Sequence, residues 1–253
     1  MRLVTQMTRT KHIVIGDIHG CAGAMFALLD ACQRTPEDEV ISVGDLVDRG
    51  PSPEAVVRFF MNDPNATVVM GNHEDKHVRI RSGELVPGPG HLATQHQLGD
   101  FYDEAVDFMA TLPLSMERAG HFICHGGVLP GTPLAEQPRS ALLRGKMPWM
   151  RNIFDTRNPW WNRYEGDTPI VYGHASTRDG DIRRVGNTWG IDTGAGRGGP
   201  LTALILPERR VVSVPSEHGS SKEYARVYAD ALEVLAAKHA DTRARRRRPA
   251  RAR

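Results

Sequence analysis

Apolar residues in this chain fall into short runs of two kinds, and the two kinds alternate from the start. His12-Ile13-Val14-Ile15 is a continuous run closed by a glycine turn, which predicts a buried strand. Ala24 to Gln33 then repeats at helical spacing, with Met25, Leu28, Leu29 and Cys32 on one face. Val40 to Val43 predicts a second strand, and Thr67 to Met70 a third. Between them, Pro53 to Met61 predicts a helix with Ser52 as N-cap and Pro53 at its first position. The succession strand, helix, strand, helix, strand implies a parallel sheet with right-handed crossovers. Such sheets bind ligands at the carboxyl ends of their strands.

The pattern loosens further along. His77 to Arg81 continues a helix, Gly83 to Gly90 reads as loop, and the surrounding segment from Arg81 to Gly99 is a candidate lid. Phe101 to Leu112 predicts a helix and His121 to Cys124 a strand. Pro130 to Tyr164 reads as irregular, broken by Pro148 and Pro159. Pro169 to Tyr172, Thr188 to Ile191, Leu201 to Leu206 and Arg210 to Val214 predict strands, mostly in a meander, forming a second sheet packed on the first. These elements set a catalytic domain over 1–216. A segment over 217–241 follows, in which Ser221 to Ala240 predicts an amphipathic helix with Tyr224, Val227, Tyr228, Leu232, Val234 and Leu235 on its apolar face.

Six short motifs punctuate the predicted elements, and most follow an apolar run directly. They are Gly16-Asp17-Ile18-His19-Gly20, Gly44-Asp45-Leu46-Val47-Asp48-Arg49-Gly50, Gly71-Asn72-His73-Glu74, His125-Gly126-Gly127, Gly173-His174 and Asp192-Thr193-Gly194. Asp17 and His19, two apart at a strand end, point to the same side and converge on one ion. Asp45 has two oxygens and can bridge two ions, Asn72 offers a neutral carbonyl oxygen, and His125 and His174 offer imidazole nitrogens. Mixed oxygen and nitrogen donors without a thiol suit manganese, iron or zinc better than calcium. Two such ions about 3.5–4 Å apart can clamp an in-line displacement at phosphorus. Arg49 supplies a planar fork for phosphate oxygens. His73 is placed to protonate a leaving oxygen, with Asp48 to hold its tautomer. The other seven histidines, His12, His77, His91, His96, His121, His218 and His239, read as surface or satisfied core residues.

Composition narrows the setting. With 253 residues the chain can bury a substantial core as one α/β domain. Its formal charge is +2, but seven arginines lie between Arg243 and Arg253, so the remainder is near −5. That tail, 242–253, has no apolar residue larger than alanine or proline and is expected to be disordered alone. Non-specific binding of nucleic acid or another polyanion is its functional reading, and solubilisation its plain one. Three cysteines, Cys21, Cys32 and Cys124, form no even framework and suit reduced thiols in a cytoplasmic protein. No leader is evident, and no run approaches the roughly 18 apolar residues of a membrane span.

At these motifs the chain resembles the calcineurin-type metallophosphoesterases, and most closely the bacterial and phage branch of the phosphoprotein phosphatases. The resemblance covers about Ile13 to Ser216. It implies an α/β fold of two packed, mixed β-sheets with a parallel start, flanked by helices. It implies Asp17, His19 and Asp45 on one metal and Asp45, Asn72, His125 and His174 on the other, two divalent ions with manganese expected and iron or zinc as alternatives. It casts His73 as general acid, Asp48 as its orienting partner and Arg49 as a phosphate clamp, with hydrolysis by a metal-bound water and no covalent phosphoenzyme. Trp149-Met150-Arg151 resembles the segment that holds a second clamp, making Arg151 the candidate, with Arg144, Arg157 and Arg163 as competitors.

The substrate reading is divided. Glu74 leans towards protein phosphatases, giving a serine/threonine-type phosphoprotein phosphatase of broad specificity as the first expectation. The segment from Ile191 to Pro215 resembles bacterial enzymes that cleave dinucleoside tetraphosphates and the phosphatase module of polynucleotide kinase-phosphatases. A dinucleoside polyphosphate hydrolase or nucleotide phosphatase is therefore the alternative. No ligand of the pattern is lost, which favours an enzyme over a binding scaffold of the same fold. Trp149, Trp160, Trp161, Phe154 and Tyr164 crowd one stretch. They read first as packing on the sheet edge and second as a nucleobase platform.

Overall fold

The first three apolar runs become β1 (His12–Ile15), β2 (Glu39–Ser42) and β3 (Ala66–Val68), which lie side by side and parallel. The protein is described by a computed structural model covering residues 10–148 and 158–216, together with 228, 229 and 233. The crossovers are α1 (Ala22–Ala31), whose buried face includes Met25, Leu28 and Leu29, and α2 (Pro53–Asn62). Pro53 opens α2 with the φ a first turn needs, while Ser52 makes no capping bond through its side chain. The predicted helix over 217–241 and the tail over 242–253 lie outside the described residues, apart from Tyr228, Ala229 and Glu233. Trp149, Arg151, Phe154 and Arg157 also lie outside.

After β3 come α3 (Asn72–Arg81), α4 (Pro89–Leu98) and α5 (Tyr102–Ala110). Then β4 (Ser115–Arg118) and β5 (His121–Cys124) form a hairpin, and α6 (Arg139–Arg144) follows. The chain ends in β6 (Ile170–Tyr172), β7 (Arg183–Val185), β8 (Thr188–Gly190), β9 (Leu201–Leu206) and β10 (Arg210–Val214). One sheet has the order β10-β9-β1-β2-β3 and the other β4-β5-β6-β8-β7. The expected assignment of the late strands is therefore half right. β6, β7 and β8 join the second sheet, but β9 and β10 return to the first, antiparallel to β1. Nor is the second sheet a meander, since β5, β6 and β8 run parallel.

The two sheets pack face to face, and the period of two in their strands decides which core each residue enters. Val14, Ile41, Val43, Leu204 and Leu206 face Ile123, Val171, Trp189 and Ile191 between the sheets. Their neighbours Ile13, Ile15, Val40, Ala203 and Ile205 point the other way, under α1, α2 and α5. Phe122, Cys124, Ile170 and Tyr172 cover the outer face of the second sheet with Leu142 and Trp160. The four layers are thus helices, sheet, sheet and a thinner outer cover. The expected lid segment is largely α4, started by Pro89 after Gly88, so its Gly/Pro signal marks a helix entry as well as a loop. Among the described residues no helix is long and apolar enough to cross a membrane.

Candidate metal centre and active site

Each sheet contributes three parallel strands, and each of the six ends in one polar turn. Asp17 follows β1, Asp45 follows β2, Asn72 follows β3, His125 follows β5, His174 follows β6 and Asp192 follows β8. Stacking the sheets brings these turns together at one edge. The approach is close: a Cβ at Gly173 would collide with an Asp17 carboxylate oxygen and lie 2.6 Å from Val43 Cγ2. Five site residues have left-handed backbone, His19 (φ 49°), Asp45 (56°), Asp48 (68°), Arg49 (69°) and His174 (64°).

The ligand atoms form two groups that share one carboxylate. His19, Asp45 and His73 have ligand atoms within 4.8 Å of one another, as do Asp45, His125 and His174. Asp45 Oδ2 lies 3.7 Å from His19 Nε2, while Oδ1 lies 3.3 Å from His125 Nε2. Its two oxygens thus face different groups, as a bridging ligand requires.

The protons are already spoken for. His19 Nδ1 donates to the Val47 carbonyl at 2.9 Å, and His125 Nδ1 to the Val43 carbonyl at 2.9 Å. Burial pushes both imidazoles below their usual range, Arg49 adding to the effect at His19 and an opposing Asp45 moderating it at each. Both rings are therefore neutral and present a bare Nε2 to the site. His125 Nε2 lies 3.0 Å from Asn72 Oδ1 and 3.3 Å from Asp45 Oδ1, so with its proton on Nδ1 it is an acceptor facing two further acceptors. His174 completes this side, its ring 5.1 Å from that of His125, and burial with His125 as neighbour brings it down to about 3. A cation reconciles such a set, so the donors fit the divalent ions the sequence implies.

Asp17 borders these groups. It is buried and accepts the His174 backbone N–H at 3.1 and 3.2 Å, but it does not join the His19–Asp45 group, where His73 stands instead. Burial, then the nearby Asp192 and Asp45, raise its carboxyl well above the ordinary value. Burial also raises Asp192. Three buried carboxylates, at 2%, 2% and 4% exposure for Asp17, Asp45 and Asp192, are a further demand for positive charge. Asp192, which the Asp192-Thr193-Gly194 motif places behind β8, joins the site without being among the expected ligands.

His73 and Asp48 form the expected pair, joined by a short hydrogen bond between Nδ1 and Oδ2. Burial alone would raise Asp48, but His77 and His73 outweigh it and hold the carboxyl well below its ordinary value. Arg49 lies across the cleft, with Nη1 2.6 Å from His19 Nε2 and Nη2 3.4 Å from His73 Nε2. Glu74 is fully buried and accepts backbone N–H groups from Asp45 and Leu46 at 2.8 Å and Gly71 at 3.0 Å. It shapes the Asp45 turn and does not face the cleft, so it carries no information about a protein substrate. Arg144 is paired with Asp75 at 2.8 Å and Arg163 bonds Asn158 at 3.2 Å. Trp160 is buried, donates to the Gly126 carbonyl at 3.2 Å and packs on Tyr172, while Trp161 stacks on Tyr172. These aromatics pack the segment onto the second sheet, as first expected.

A bridging carboxylate, paired imidazole groups and an adjacent guanidinium and histidine define a site for metal-dependent phosphoester hydrolysis. The chain belongs to the calcineurin-like phosphoesterases, whose family profile matches residues 10–195. It is 31% identical over 232 residues to the asymmetrical bis(5'-nucleosyl)-tetraphosphatase PrpE of Halalkalibacterium halodurans, covering 80% of this chain and 93% of that one. The Anoxybacillus flavithermus enzyme of the same name is 32% identical over 231 residues, with the same coverage of both chains. A symmetrical bis(5'-nucleosyl)-tetraphosphatase from Janthinobacterium is 25% identical over 260 residues, covering 79% and 94%. Among solved structures, a chain assigned as a diadenosine tetraphosphatase superposes with a TM-score of 0.68 at 24% identity, covering 84% of this chain and 96% of its own. A serine/threonine phosphatase from Saccharomyces cerevisiae gives 0.57 at 17%, covering 87% and 83%. Both likenesses are of fold.

Proposed function

We propose that this protein cleaves dinucleoside polyphosphates, diadenosine tetraphosphate among them, and takes phosphate monoesters as secondary substrates. The observation that carries the chemistry is the shared Asp45 between two acceptor groups, with Arg49 and His73 at their edge. The substrate class rests on relatives of 31–32% identity that align over four-fifths of this chain and nearly all of their own. This replaces the phosphoprotein substrate as the leading reading, because Glu74, which suggested it, serves the fold of a turn.

Asp45, Asn72, His125 and His174 would hold one divalent ion, and His19 and Asp45 the other, with the neighbouring Asp17 drawn in as its third ligand, manganese being favoured by the balance of nitrogen and oxygen. Such ions polarise a phosphoryl group and acidify a water. The chain's own groups do the rest. Arg49 holds phosphoryl oxygens through its fork, and Arg151 is the candidate second clamp. His73 acts in its doubly protonated form, giving the Nε2 proton to the leaving oxygen while its Nδ1–H stays on Asp48. Residues 1–216 would suffice as the catalytic unit.

The test is product analysis. With manganese present, diadenosine tetraphosphate should yield ATP and AMP, as the asymmetrical relatives' name describes. ADP as sole product would instead align the chain with the symmetrical enzymes. Intact dinucleotide alongside rapid dephosphorylation of a phosphoserine peptide would overturn the reading. Removing one preorganised donor to a transition-state oxygen costs on the order of 10²–10³ in rate. Arg49→Ala should show that loss in kcat/KM, and unaltered kinetics would remove Arg49 from the clamp.

A further inference from the structure

The candidate acid pair is itself held by a chain of buried donors. Asp48 Oδ2 takes the hydrogen bond from His73 Nδ1. Its other oxygen, Oδ1, takes two more, from Thr94 Oγ1 at 2.6 Å and His77 Nε2 at 3.0 Å. Thr94 and His77 are both fully buried. Tyr102 reaches His77 Nδ1 at 3.3 Å, and Gln95 Nε2 donates to the Tyr102 hydroxyl at 3.2 Å. The direction of donation follows from this order. Asp48 can only accept, so His77 carries a proton on Nε2, and the Tyr102 hydroxyl, which accepts from Gln95, lies beside His77 Nδ1. That Nε2 proton points at Asp48 Oδ1. Asp48 has only acceptors, so His73 must carry a proton on Nδ1, and its Nε2, facing the cleft, is the nitrogen that takes up the second proton and passes it to the leaving oxygen. Every ring in the series has one tautomer that satisfies all partners.

We infer that His77 and Thr94 are positioning residues for proton delivery, acting through Asp48 on His73. The inference rests on the proposed role of His73. α3 supplies His73 and His77 one turn apart, so one helix face holds both ends of the Asp48 clamp. α4 supplies Thr94 from the segment that the sequence suggested as a lid. That helix stands behind the acid and is tied to it through Thr94. Without these donors Asp48 is free to rotate, and His73 loses the orientation that aims Nε2 at the leaving oxygen. The ester bond still breaks and water still attacks phosphorus, but the leaving oxygen departs without its proton.

The experiment compares Thr94→Val, His77→Leu and His77→Gln with wild type and with His73→Asn. Loss of an outer partner typically costs about 10–100-fold in activity. Thr94→Val and His77→Leu should each lower kcat by that order on β-glycerophosphate, whose alkoxide needs a proton, with KM and bound metal unchanged. Turnover of p-nitrophenyl phosphate, whose nitrophenolate leaves unaided, should change little. His77→Gln places an amide N–H near the position of Nε2 and should restore most of the loss. Ring ¹⁵N spectra of the full-length, zinc-loaded chain add a reading independent of turnover. His73 should be the Nδ1–H form in wild type and average between tautomers in Thr94→Val. Equal losses on both esters in folded, metal-replete variants would make the two residues structural only, and wild-type kcat with an unmoved His73 resonance would overturn the inference outright. If His73→Asn also fails to separate the two esters, the general-acid reading has failed. If it separates them while Thr94→Val and His77→Leu do not, only the positioning role has.

Discussion

Asp45→Asn should abolish most of the activity while leaving the fold intact. Asp45 presents one oxygen to His19 and the other to His125, and no other described side chain stands in both groups. An amide keeps the shape and gives up one anionic acceptor, so one ion loses its anchor. A bound ion supplies several kcal/mol of transition-state stabilisation, and each 1.36 kcal/mol is tenfold, so a fall of roughly 10³ is expected. Metal content by mass spectrometry should drop below two equivalents, with the circular dichroism spectrum unchanged. Near wild-type turnover in excess manganese would show that Asp45 does not bridge.

His73→Asn separates two roles that its position allows. Its Nε2 lies 3.8 Å from Asp45 Oδ2, close enough to be counted with the ligands, and its Nδ1 is tied to Asp48. General acids contribute roughly 10²- to 10⁴-fold, and less where the leaving group needs no proton. The variant should therefore lose that much on β-glycerophosphate, far less on p-nitrophenyl phosphate, and no metal. His125→Ala, by contrast, should lose metal as well as turnover. A drop in bound metal on replacing His73 would recast it as a ligand.

The site was legible in the sequence to the extent that its residues sit directly behind strands. Asp17, His19, Asp45, Asn72, His125 and His174 all do, and a turn after an apolar run announces itself. The strands in the first half were legible for the same reason, and β5, β9 and β10 match their predicted runs to the residue. Which sheet each joins was not. Alternation fixes the two faces of Leu201 to Leu206 but says nothing of the neighbour, and only the three-dimensional pairing with β1 decides it. β4 escaped because Ser-Met-Glu-Arg has no apolar alternation. His77 and Thr94 escaped because their partner, Asp48, is 29 and 46 residues away. His77 repeats the face of His73 one turn later, the one local hint available. Arg151, the second-clamp candidate, lies outside the described residues.

The left-handed turns at the strand ends carry an evolutionary consequence. A left-handed conformation costs an ordinary L-residue roughly 1–2 kcal/mol, so five of them together approach the whole net stability of a domain, about 5–15 kcal/mol. Aspartate and histidine tolerate the region better than most, which softens the sum at four of the five and leaves Arg49 the most exposed to it. Glycine would occupy any of these positions without strain and would silence the chemistry there. Drift filtered by folding alone would therefore press first on Arg49, where relief of the backbone is opposed by less buried packing than at His19, Asp45 or Asp48. The chemistry of this cleft is thus carried on backbone that works against the stability of the fold.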